Sequence, residues 1–104
     1  MTVRVLIERT LEPNKPQEDL VYLMKQLRAK ALLQPGYISG ETLVSVDRPG
    51  THLVVSTWHS LKEWRAWEND PERLKILGQI NSLLTAPANT SVFAEPWVTL
   101  PEGV

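Results

Sequence analysis

The sequence predicts an α+β domain with the element order β-α-β-β-α-β. Three observations lead there. Val3, Val5 and Ile7 alternate with Arg4, Leu6 and Glu8, a period of two that belongs to a strand with one buried face. Leu20, Leu23, Met24, Leu27 and Ala31 recur at helical spacing, with Glu18, Asp19, Lys25, Gln26 and Lys30 on the opposite side. "DRPG", residues 47–50, separates two β-rich runs and reads as a hairpin turn, because Pro49 fixes φ at the first central position and Gly50 admits positive φ at the second.

Taken in order, the first strand ends at "EPNKP", and Pro16 suits a first helical residue, where its missing N–H has no partner to lose. Acids early and bases late in the first helix match its dipole. "QPG", residues 34–36, stops it. "YISGETLVSV" is the second strand, with Gly40 as an expected bulge. "THLVVSTW" is the third. Ser60 and Glu63 then form an S-x-x-E capping box. "NDPE" interrupts the second helix, and Asp70 caps a fresh start with Pro71 at its first position. Leu74, Leu77, Asn81 and Leu84 carry the pattern on. "SVFAEPWVTL" is the last strand, which Pro96 places at an edge or a bulge. This order is the ferredoxin-like arrangement, an antiparallel sheet with its helices on one face.

The bulk properties exclude several classes. With 104 residues the chain is one domain, 1–104. Net charge is −1, which leaves no basic footprint for nucleic acid and no polybasic anchor for a membrane. No apolar run reaches the roughly 18 residues of a membrane span. The alternating N-terminus is unlike a signal peptide, so the expected location is the cytoplasm. There is no cysteine, hence no disulfide, thiolate metal site or Cys nucleophile. His52 and His59 have opposite strand parity and do not form a metal pair. No resident metal or cofactor is expected.

Helices on one side leave the other sheet face bare. In the third strand both faces are substantially apolar, so a second copy is expected to cover it, giving a homodimer.

The element order, "PGY" before the second strand, and the block "STWHSLKEWRAWENDPERL" together resemble the antibiotic biosynthesis monooxygenase domain family of dimeric α/β barrels. Trp58, Ser60, Trp67 and the Asp70–Pro71 pair stand where that family places an aromatic strand end, a helix-starting serine, an aromatic and a proline break. The resemblance implies a cofactor-independent monooxygenase acting on a small quinol- or anthrone-like aromatic. The alternative is a non-catalytic small-molecule-binding or structural homodimer of the same fold. In the family's heme-degrading branch a strand-one Asn, a helix Trp and an axial His are needed. Trp67 matches the Trp, but Ile7 and Leu77 stand at the other two places, so no heme chemistry is implied. Glu72 stands where many members carry a His after the proline break.

"STWHSLKEWRAWEND" holds three of the four tryptophans. Trp58, at a strand end, reads chiefly as packing. Trp64 and Trp67 lie three apart on one helix side and are either its buried stripe or walls of a pocket, with Trp67 the stronger candidate. Tyr37 is a candidate hydrogen-bond donor to a phenolic substrate, against the plainer reading of a strand-start packing residue. His59, at the junction of strand and helix, is the candidate general base, against the plainer reading of an exposed or capping residue. Arg4, Glu8 and Arg9 are candidate pocket polar groups, but the preferred reading is dimer-interface or surface charges, because Val3, Val5 and Ile7 claim the helix-facing side.

Overall fold

The computed structural model describes residues 1–96. Its elements are β1 (Val3–Thr10), α1 (Gln17–Ala31), β2 (Tyr37–Val44), β3 (Thr51–Trp58), α2 (Leu61–Glu68), α3 (Pro71–Asn81) and β4 (Asn89–Phe93). The strands form one antiparallel sheet in the order β2-β3-β1-β4, and the ferredoxin-like α+β arrangement is confirmed. No helix is long and apolar enough to cross a membrane among the described residues.

Local chemistry sets most boundaries. Pro16 proves to be the N-cap of α1, not its first helical residue, and its carbonyl accepts the Asp19 N–H. At the hairpin, the Thr51 N–H bonds the Arg48 carbonyl and Gly50 takes φ +82°, the geometry the turn requires. Ser60 Oγ accepts the Glu63 N–H, the first half of the capping box, while the Glu63 carboxylate accepts from Ser60 Oγ instead of from the Ser60 N–H. Asp70 accepts from the N–H groups of Glu72 and Arg73, which starts α3 after the break.

The core lies between the sheet and the helices. β1 contributes Val3, Val5 and Ile7, α1 contributes Leu20, Met24, Leu27 and Ala31, and β3 ends on Trp58. Three expectations need correcting. The buried stripe of α3 is Arg73, Ile76 and Ile80, while Leu74 is exposed and Leu77 only partly buried. The true stripe begins on a charged residue, which conceals its period. The register slip in β2 falls between Tyr37 and Ser39 instead of at Gly40. Gly40 serves close approach: a Cβ there would meet Tyr37 Oη. β4 spans Asn89–Phe93 instead of starting at Ser91, and it is an edge strand as Pro96 suggested. Trp97 and the remainder of the expected last strand lie outside the described residues.

The face of the sheet away from the helices carries Leu6, Leu43, Leu53 and Val55 between Arg4 and Glu8. Leu43 on one edge strand and Phe93 on the other are about half exposed.

Candidate active site

Antiparallel pairing places opposed residues on one face. The helix-facing side of the β1–β3 ladder therefore reads Val3 with Trp58, Val5 with Ser56, Ile7 with Val54, and Arg9 with His52. The apolar row ends on two polar residues, and both are buried: Arg9 is 2% and His52 3% exposed.

An aromatic chamber of about 60 Å³ opens over this row. Tyr37, Trp58, Trp64 and Trp67 form its walls, and Arg9 stands at its polar end. The rings meet edge to face, Tyr37 with Trp58 at 5.3 Å and Trp58 with Trp64 at 5.7 Å, an arrangement that rigidifies the walls. Trp58 Nε1 donates to Ser56 Oγ at 3.1 Å. A wider chamber of about 320 Å³, open to solvent past the exposed Gln17, Lys25, Arg28, Thr42 and Val44, adjoins it beside α1; it holds His52 and shares Met24, Arg28 and Thr42 with the first. The aromatic chamber alone has room for a few waters. The wider chamber by itself reaches the lower end of the roughly 300–1,000 Å³ of small-molecule sites, and the aromatic one adds to it only slightly. Met24, an adaptable side chain, lines both.

The polar atoms here are poorly satisfied. Arg9 Nε and Nη2, His52 Nε2 and Trp64 Nε1 are buried without hydrogen-bond partners. Native interiors leave few such atoms unpaired, and each exception asks for a reason. Burial, and then the charge of Arg73, push the Arg9 guanidinium down to about 10. Arg73 is itself lowered by burial, partly offset by Glu68. It donates from Nη1 to the Glu68 carbonyl at 3.0 Å and lies 5.2 Å over the Trp64 ring, so a second cation backs the aromatic wall.

The candidate residues separate clearly. Tyr37, Trp64 and Trp67 come together around the chamber. His59 does not join them: its side chain is 74% exposed, and Nδ1 lies 3.4 Å from the Glu63 carboxylate at the start of α2. Arg9, where the sequence favours a surface or interface charge over a pocket group, is the deepest polar group of the chamber. It shares the parity of Val3, Val5 and Ile7, and that parity was the available signal. His52 shares the parity of Trp58 and could have been found in the same way.

Residues 2–78 match the sequence profile of the antibiotic biosynthesis monooxygenase family. The chain is 28% identical over 61 residues to the protein SchA of Streptomyces halstedii, a match that covers 59% of this chain and only 16% of that protein. Its fold superposes on SnoaB, a cofactor-independent oxygenase from Streptomyces nogalater, with TM-score 0.81 at 19% identity over 97% of this chain and 98% of that one. It superposes equally on Rv0793 from Mycobacterium tuberculosis, with TM-score 0.81 at 21% identity over the whole of both chains. With most of its length matched to the family profile, on the fold described above, the chain is a member of the antibiotic biosynthesis monooxygenase family.

Proposed function

We propose that the protein is a cofactor-independent monooxygenase that oxidises a small quinol- or anthrone-like aromatic. The observation that carries this reading is the buried Arg9 guanidinium, two of its nitrogens unpaired, facing a chamber walled by Trp58, Trp64 and Trp67. Such a substrate supplies its own reducing electrons once it is ionised. The protein must then hold the aromatic ring, exclude water and stabilise the anion. The tryptophan walls suit the first two tasks and Arg9 the third. For an anthrone the reaction balances with dioxygen as the only co-reactant: the ring CH₂ becomes C=O, one oxygen atom enters the carbonyl, and the other leaves as water with the two hydrogens. The SnoaB likeness adds support at the level of fold.

We also propose a homodimer joined through the outer sheet face, where Leu6, Leu53 and Val55 would be covered.

Oxygen uptake with a panel of quinols and anthrones, followed by identification of the quinone product, tests the activity. Stoichiometric uptake that is lost in Trp67→Ala supports it. If no member of the panel is consumed, the same cavity is better read as a binding site without turnover.

A further inference from the structure

Arg9 and His52 form a directly opposed cross-strand pair on the helix-facing side, which puts their Cβ atoms roughly 5 Å apart. Each closes a different chamber, Arg9 the aromatic one and His52 the wider one. His52 Nδ1 lies 3.2 Å from the Gly50 carbonyl. A carbonyl only accepts, so Nδ1 carries the hydrogen, and the lone pair of a neutral imidazole is on Nε2. That Nε2 is buried and unpaired. The pair therefore offers one free acceptor beside free cationic donors. Arg28 and Lys25 of α1 line the spaces beside the pair and Val44 stands opposite His52 in β2, while Tyr37 and Glu41 lie farther along β2, opposite Trp58 and Val55, and Arg73 sits behind the Trp64 wall.

We infer that His52 is the proton acceptor of this site and Arg9 its oxyanion anchor, so that the ligand is an acidic hydroxyarene bound as its anion across both chambers. The inference rests on the reading of the cavity as the oxygenase pocket, and it moves the base from the exposed His59 to the buried His52. In the step itself the aryl O–H bond breaks. The electron pair stays on oxygen, which accepts from Arg9 Nε–H and Nη2–H. The proton passes to His52 Nε2, and the resulting imidazolium keeps its Nδ1–H on the Gly50 carbonyl. Total charge is unchanged, so no uncompensated charge is created in the interior.

The test uses 5-hydroxy-1,4-naphthoquinone, whose colour reports ionisation and which is already oxidised, so oxygen chemistry does not enter. Near neutral pH the wild type should bind the dye in its anionic form, with an apparent ionisation constant raised roughly tenfold or more, and without releasing a proton to a weakly buffered medium. Arg9→Met should bind it in the neutral form. His52→Asn should either bind it neutral or release one proton for each anion bound. Near-ultraviolet circular dichroism checks the fold, and Arg9→Gln replaces Arg9→Met if that variant does not fold. Wild-type protein that binds the dye neutral, fails to bind it, or releases a proton with His52 intact overturns the inference. So does a His52→Asn variant indistinguishable from wild type. Oxygen uptake reports on the oxygenase reading independently, so either can fail alone.

Discussion

Arg9 and His52 face each other across the β1–β3 ladder, both nearly fully buried and both with unpaired nitrogen atoms. An interior built only for stability would not retain this pair. A buried cation with unsatisfied donors destabilises the fold, and similarly sized apolar side chains would pack the same space without that cost. Arg9 lines the aromatic chamber and His52 the wider one, so under the proposed function the cost is tied to ligand binding.

Replacing Arg9 tests that connection through stability. Lowering the guanidinium to about 10 corresponds to a penalty of roughly 3 kcal/mol near neutral pH. Arg9→Met should therefore raise the free energy of unfolding, by about 1–3 kcal/mol after allowing for imperfect packing. Urea denaturation followed by tryptophan fluorescence measures it. The same variant should lose affinity for an anionic aromatic.

The pH dependence has a defined sign. Burial disfavours the charged form of Arg9, so the penalty is complete below about pH 10, where this residue is protonated in folded and unfolded chains alike. Above that value the folded chain releases the proton first, and the contribution of Arg9 to stability improves as pH rises. Affinity for an anion moves the other way and should fall as pH passes about 10. Binding isotherms of a permanently ionised naphthalene sulfonate across this range, alongside unfolding curves, check both directions.

The tryptophans should divide by role. Trp58 is 1% exposed, bonds Ser56 and touches both Tyr37 and Trp64. Trp58→Ala should cost about 3–5 kcal/mol of stability. Trp67, at 4% exposure, lines the same chamber but has, among the described residues, neither the indole bond nor the ring contacts that fix Trp58, so Trp67→Ala should cost less stability and weaken aromatic ligand binding more. Paired melting and binding measurements on the two variants settle the division. Equal losses of stability would assign Trp67 to the core alone.

Gly40 should control the shape of the chamber. A Cβ at this position would run into Tyr37 Oη, so Gly40→Ala must displace the phenol that lines the cavity. Ligand affinity should fall, and Tyr37→Phe combined with Gly40→Ala should recover part of the loss by removing the clashing oxygen. A titration of the four combinations measures this coupling.

The outer sheet face should respond to charge. Leu53→Lys places an ammonium in the middle of the proposed dimer seam and should shift the protein toward monomer at micromolar concentration. Sedimentation velocity reads the outcome. If the wild type is already monomeric, the proposed dimer is excluded.

The sequence by itself determined the element order, the hairpin turn, the caps at Ser60 and Asp70, and the main core stripes of β1 and α1. These depend on local signals: a period of two or of 3.6, a proline's fixed φ, a side-chain oxygen within reach of the next free N–H groups. It also brought Tyr37, Trp64 and Trp67 forward as candidates. The tertiary structure decided which polar residues face inward. Arg9 lies on the buried face of β1 by parity, yet a charged residue at a strand end reads as solvated until β3 and α1 are seen to close over it. His52 and His59 are seven positions apart and of opposite parity, but the ladder and the covering helix were needed to show that one is a buried imidazole bonded to Gly50 and the other an exposed one paired with Glu63. Arg73 concealed the stripe of α3 for the same reason. Burial of a cation is set by what several distant segments enclose together, and local sequence carries little of that information.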